Sequence, residues 1–273
     1  MRTLRDWLSE KPFTLAMSSG FFGFFAHAGV VSVLEEEGLF PARVAGSSAG
    51  ALVGGLWAAG VSAPRIREEL LGLRREHFWD PRPGLGLLRG ALFRRLLETL
   101  APVRTFEECR VPLALSVYDV LGARTAVLRS GPLAPAIHAS CAFPVLLQPV
   151  RIGRRIYLDG GVGDRPGMAG VGEGERVLFH HLMSRSPWRR EASPALRVPE
   201  RKEMQVVAVD GLPRLGPFRL DQGRMAMERA ALGAREALSR AVPADPSLTS
   251  EPAGGRPCAP LDQRPIRGSI PDA

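Results

Sequence analysis

Residues 46–50 read Gly46-Ser47-Ser48-Ala49-Gly50, and they restrict the fold more than any other part of this 273-residue chain. The run Ala42-Arg43-Val44-Ala45 before them suits a short strand, and Ala49 to Ala59 after them reads as a helix. A Gly-x-Ser-x-Gly at a strand-to-helix junction makes a sharp turn that lifts the serine hydroxyl clear of the sheet. Glycines on either side let neighbouring backbone pass without Cβ clashes. Ser48 then stands at a helix N-terminus, where free N–H groups and the helix dipole favour developing negative charge.

Two further segments have matching geometry. Phe13-Thr14-Leu15-Ala16-Met17 is β-prone, and a helix from about Phe25 to Glu37 follows the loop Ser18-Ser19-Gly20-Phe21-Phe22-Gly23. A glycine-containing loop between a first strand and a first helix offers backbone N–H groups to an oxyanion. A phosphate loop is the alternative, but Gly-x-Gly-x-x-Gly and a Gly-Lys-Ser/Thr ending are both missing. Far downstream, Tyr157-Leu158-Asp159-Gly160-Gly161 places an aspartate at a strand end, suited to project into a crevice. Taken alone, Asp159-Gly160 reads more simply as a type I′ turn.

In this order, the segments resemble the patatin-like phospholipase family. Phe25-Ala26-His27-Ala28-Gly29-Val30, ending Leu34-Glu35-Glu36-Glu37-Gly38, is similar to its first helix. Gly46-Ser47-Ser48-Ala49-Gly50 and Asp159-Gly160-Gly161 match its serine and aspartate motifs, and Ala139-Ser140-Cys141-Ala142-Phe143-Pro144 with Gln148-Pro149-Val150 its intervening segment. The resemblance covers roughly residues 13–167. It implies a three-layer α/β fold with a central, largely parallel sheet, and lipid-ester hydrolysis by a Ser–Asp dyad. Ser48 is then the nucleophile, Asp159 its general base, and Gly20, Phe21, Phe22 and Gly23 the oxyanion loop. No metal or organic cofactor is implied. The loop departs from the family, which carries a run of glycines and then an arginine where this chain has Gly23. An acyltransferase using the same serine, or a catalytically inert binding module, are the rival readings. Phe21, Phe22, Phe24 and Phe25 are candidates for lining an acyl pocket.

Histidine is the competing base. His27, His77, His138, His180 and His181 are present, and the order Ser48, Asp159, His180 imitates the α/β-hydrolase order. That fold places several strands before its elbow, and here only one fits, so each histidine is read as structural.

The rest of the chain suits one α/β domain over 13–240. Strands are expected around Pro112–Tyr118, Thr125–Leu128, Val177–Phe179 and Gln205–Val209, and helices around Ala63–Arg75, Leu88–Leu100 and Gln222–Arg240. Residues 1–12 read as an extension, and 241–273, dense in Pro, Gly, Ser and Arg, as a disordered tail. Gly84–Gly90 and Ser184–Pro199 read as loops, the second with Trp188 among arginines as a solvated or interfacial segment.

A net charge of +8 suggests peripheral contact with anionic membrane surfaces, and nucleic-acid motifs are missing. Cys109, Cys141 and Cys258 form no metal or disulfide pattern, which suits a reducing cytoplasm. Residues 12–34 and 44–64 carry no formal charge, so signal-peptide and transmembrane readings arise. Internal Ser18-Ser19-Gly20 and Gly54-Gly55 favour buried core elements instead. The oligomeric state is not legible.

Overall fold

The computed structural model describes residues 2–183, 197–242 and 266–268. Alternation along the first strand sets up the layers. In β1 (Thr14–Met17), Leu15 and Met17 face a large apolar cluster, while Ala16 faces the opposite side. In the large cluster they meet α2 (Phe24–Glu36), α3 (Ala49–Ala58) and α4 (Ala63–Leu71), together with α7 (Gly223–Leu238). Every residue of α3 is buried, as are ten consecutive residues of α2, Phe25 to Leu34. The two uncharged stretches are therefore strand, turn and core helix. Among the described residues, no helix is long and apolar enough to cross a membrane.

The second face is built for close approach. Ala16 pairs with Ala45 of β2 (Arg43–Ser47), which pairs with Ala114 of β4 (Leu113–Asp119). These three small side chains lie in the cluster that holds Met168 and Val171, so the segment after Asp159 packs directly on the sheet.

The main sheet runs β11-β10-β9-β1-β2-β4-β8-β7, with β5 (Arg124–Leu128) also on β4. Here β7 is Val150–Ile152, β8 Arg155–Asp159, β9 Val177–His181, β10 Met204–Val209 and β11 Ile266–Gly268. From β11 to β4 all pairings are parallel; β5, β7 and β8 join antiparallel. A small parallel ribbon joins β3 (Gly86–Leu88) to β6 (Val145–Leu147), and α5 (Ala91–Leu100) and α6 (Leu133–Ser140) pack together. The expected mostly parallel α/β architecture is thus present.

The register around β4 positions the site. β5 pairs with Leu115–Asp119, β2 with Leu113–Ser116 and β8 with Val117–Asp119. A strand has two edges, and β5 overlaps both of the others, so β2 and β8 share the opposite edge end to end. β2 stops at Ser47 opposite Ser116, and β8 stops at Asp159 opposite Val117. The elbow and the aspartate meet head-on.

Several boundaries differ from expectation. The N-terminal residues are no extension: α1 (Leu4–Glu10) buries Leu4, Trp7 and Leu8, and Leu4 donates to the Arg240 carbonyl. Gly84–Gly90 contains β3, which delays the helix expected from Leu88 to Ala91. The helix from Ala63 ends at Leu71, with Gly72 as its C-cap, short of the expected Arg75. Of the supposed tail, Ala241 bridges Thr3, Val242 is buried in the core and donates to the Arg2 carbonyl, and 266–268 form β11; residues 243–265 and 269–273, like 184–196 with Trp188, lie outside the described residues.

Gly29 lets α2 approach α7: a Cβ there would lie 2.2 Å from the Met227 carbonyl oxygen. Gly29→Ala is expected to force the helices apart and lower stability by roughly 1–3 kcal/mol, read as an earlier urea midpoint.

Candidate active site

Ser48 occupies the turn between β2 and α3 with φ 53° and ψ −114°, a conformation that L-residues rarely adopt. The turn closes because both flanking glycines are bare. A Cβ on Gly50 would lie 2.2 Å from the Met17 carbonyl oxygen, and one on Gly46 would lie 2.7 Å from Gly50 itself. The backbone is also tied from outside. Ser48 N–H donates to Ser140 Oγ at 2.9 Å, Ser140 Oγ donates to the Ser116 carbonyl, and Cys141 Sγ donates to the Ser48 carbonyl. This explains why Ser140 and Cys141 sit together after α6. Water-poor surroundings push the Cys141 thiol well above its usual value, consistent with a packing role.

Facing it, Ser48 Oγ donates to Asp159 Oδ2 at 2.6 Å. The other carboxylate oxygen, Oδ1, accepts from Gly161 N–H at 2.7 Å, and Asp159 N–H donates to the Ala142 carbonyl. Asp159 is 2% exposed. Burial raises its pKa to about 6, against the opposing pull of the bonds from Ser48 and Gly161. Asp159-Gly160 is thus no hairpin turn: Gly160–Val162 forms a single 3-10 turn, with Gly160 pressed on the Ser116 carbonyl.

Sequence reasoning did not single out Asp164. Its buried carboxylate accepts from Ser116 Oγ at 2.6 Å and from the N–H groups of Gly167, Met168 and Ala169. It locks the segment after Asp159 against the strand that carries Ser116. A second aspartate five residues on was the available signal.

The glycine-containing loop adopts an unexpected form. Gly23 N–H donates to the Gly20 carbonyl at 3.0 Å, so its amide is closed in a turn. Phe22 takes φ 53°. Among the described residues, the N–H groups of Gly20 and Phe22 have no acceptor, and neither does that of Ala49 at the start of α3. All three residues line one cleft with Ser48 and Asp159. The cleft has a volume of about 410 Å³, and its walls are mainly leucine and phenylalanine from α3, α4, α5 and the β3–β6 ribbon. Phe21, Phe22 and Phe24 contribute to it, whereas Phe25 points into the core.

His180 does not reach the serine. The Ser18 carbonyl can only accept, so His27 Nε2 carries the proton at 2.8 Å; His27 Nδ1 then accepts from His180 Nδ1 at 2.8 Å. Burial holds His27 down to about 4 and His180 well below its usual value, so both rings are neutral. The pair braces Ser18, at the root of the glycine loop. Among the described residues, no group of side chains is arranged to hold a metal ion.

These features define a class: an α/β protein whose elbow serine donates a hydrogen bond to a buried aspartate at an apolar cleft. The patatin-like phospholipase profile matches residues 15–168, more than half of the chain. The chain belongs to that family, whose members hydrolyse lipid ester bonds. Among curated proteins, it is 32% identical over 164 residues to an uncharacterised NTE family protein of Mycobacterium tuberculosis, covering 58% of this chain and 44% of that protein. A Mycobacterium bovis NTE family protein matches equally, and the chain spans less than half the length of either. In structure it is similar to VipD from Legionella pneumophila, with a TM-score of 0.64 at 14% identity over 83% of this chain and 66% of that one. At that identity the likeness is one of fold.

The raised pKa has a stability consequence. Unfolded, Asp159 ionises near 3.9; folded, near 6, so the group's contribution is complete below about pH 4 and lost as pH rises through 6, about 3 kcal/mol in all. Asp159→Asn keeps an acceptor for Gly161 and removes that ionisation. The variant is expected to be more stable than wild type at pH 8 and to lose this advantage near pH 4. Denaturant titrations at the two pH values check this, and equal differences at both would show an unshifted carboxylate.

Proposed function

We propose that this chain is a serine acyl hydrolase acting on lipid esters, with Ser48 as nucleophile and Asp159 as general base. The observation that carries the reading is the 2.6 Å bond from Ser48 Oγ to a carboxylate whose pKa lies near 6. An ordinary aspartate is a weak base at neutral pH, and the raised value brings it closer to the working range. Ser48 Oγ attacks the ester carbonyl carbon while its proton passes to Asp159 Oδ2. The carbonyl oxygen becomes an oxyanion, for which the unpaired N–H groups of Gly20, Phe22 and Ala49 are the available donors. Collapse of the tetrahedral intermediate breaks the ester bond, and Asp159 returns the proton to the departing alcohol. Water, deprotonated by the same carboxylate, then releases the acid and restores Ser48.

The apolar cleft supports an acyl substrate, since a hydrocarbon chain would replace water along leucine and phenylalanine walls. Within this mainly apolar lining, Ser48 and Asp159 stand side by side. That arrangement suits an ester whose carbonyl stops at the serine while its chain runs inward. Against a non-catalytic role stands the strained backbone of Ser48, which orients the hydroxyl toward the carboxylate.

Fluorophosphonate labelling tests the reading. Wild type is expected to label at Ser48, Ser48→Ala not at all, and Asp159→Asn on the order of 100-fold more slowly. The wild-type rate should rise with pH through about 6, as Asp159 becomes ionised. Folded wild type that does not label would overturn the assignment.

A further inference from the structure

The outer face of the β3–β6 ribbon has no role in the chemistry above. Leu85 is 83% exposed, Leu87 51% and Val145 80%. Leu85 and Leu87, two residues apart, fall on one side of the chain at β3, opposite Leu88, and Val145 is exposed at the neighbouring start of β6, in register with Gly86. Val145 holds φ 72°, a strained value for a β-branched residue. The same ribbon turns Leu88 and Leu147 inward, where both line the cleft that contains Ser48. One thin layer therefore separates an exposed apolar patch from the acyl cleft.

Arginine charge flanks the patch, and the nearby carboxylates are engaged elsewhere. Arg82 and Arg89 flank it, both exposed, and neither ion-pairs among the described residues. The acidic groups of the segment are occupied: Asp80 accepts from the N–H groups of Gly90, Ala91 and Leu92, and Glu76 lies 3.7 Å from Arg74. Trp79 stands at the rim, edge-on to the 69% exposed Phe218, with Arg75 over both rings. Exposed leucine, a rim tryptophan and unpaired arginines form the pattern that settles at the headgroup boundary of a bilayer. A chain with net charge +8 is drawn to the same surface.

We propose that the outer face of the β3–β6 ribbon docks the protein on anionic phospholipid membranes, with Leu85 and Leu87 entering the interface and Arg82 and Arg89 meeting lipid phosphates. The proposal rests on the lipid-hydrolase reading for its purpose but not for its geometry. Docking there places the cleft against the bilayer. It also loads the wall formed by Phe78, whose ring lies 6.0 Å from that of Phe22 in the glycine loop. An acyl chain leaving the membrane would then pass along the ribbon and reach Ser48 without crossing water.

Flotation of the full chain with phosphatidylcholine vesicles, with and without phosphatidylglycerol, tests this beside hydrolysis of a short-chain, water-soluble nitrophenyl ester. Wild type is expected to float with the anionic vesicles. Leu85→Ser/Leu87→Ser should bind them at least about tenfold more weakly, and Arg82→Gln/Arg89→Gln should lose the preference for phosphatidylglycerol and its salt dependence. Both variants should hydrolyse the soluble ester at the wild-type rate, because none of the four side chains lines the cleft. Wild type that floats with neither vesicle, or variants that float as wild type does, would overturn the proposal. So would a wild-type dimer that the leucine variant converts to monomer, since the face would then belong to a second copy. Flotation without ester hydrolysis sinks the hydrolase reading alone, and hydrolysis without flotation sinks the docking alone.

Discussion

Strand β4 offers two edges to three neighbours, and the candidate site follows from how they divide them. The antiparallel partner β5 occupies one edge along Leu115–Asp119, which leaves β2 and β8 to share the other. Two strands on one edge cannot overlap, so each must end where the other begins. Their ends are Ser47 and Asp159, and the residue after Ser47 is the serine of the elbow. A separation of 111 residues along the chain becomes a hydrogen bond of 2.6 Å. Backbone hydrogen bonding, which is obligatory in a buried sheet, therefore fixes the distance between the serine and the aspartate. Ser116, beside the junction, reinforces it by accepting from Ser140 through its carbonyl and donating to Asp164 through its hydroxyl.

The site works against stability at several points. A buried ionised carboxylate, a non-glycine residue at φ 53° in the elbow and another at the same φ in the glycine loop are each unfavourable in isolation. Each persists because the surroundings over-determine it. The elbow is held by glycines that admit Met17 backbone and by hydrogen bonds from Ser48 N–H and to its carbonyl. The glycine loop is anchored through Ser18 to two neutral histidines that are themselves wholly buried. Raising the pKa of Asp159 and lowering those of His27 and His180 have the same cause, desolvation, with opposite sign for acid and base.

The apolar cleft and the exposed ribbon are two faces of one construction. Leu88 and Leu147 line the interior, while Leu87 and Val145 meet solvent on the same short strands. Under the proposed function and docking, a lipid would leave one apolar phase and enter another across that pair of strands. Placing the two phases back to back shortens the exposed path.

Much of this was legible from residue order. The strand-turn-helix around Ser48 follows from small residues at Gly46 and Gly50, and the expected helices near Phe25 and Gln222 stand within a residue or two of α2 and α7. The pairing of Ser48 with Asp159 could be named only through resemblance, since Asp159-Gly160 alone reads as a turn. The amides left open in the glycine loop were not legible, because Gly23 and Gly20 close a turn whose φ values depend on packing by Leu182 and neighbouring rings. Nor was the role of residues 4–10, whose apolar side chains find their partners only when α7 has folded back over them. Sequence by itself determined the local elements, the elbow and the chemical types at the site, for these depend on spacing over a few residues. Tertiary structure alone decided which groups are desolvated, which donors stay unpaired and which apolar side chains remain outside, for these depend on contacts between residues far apart in the chain.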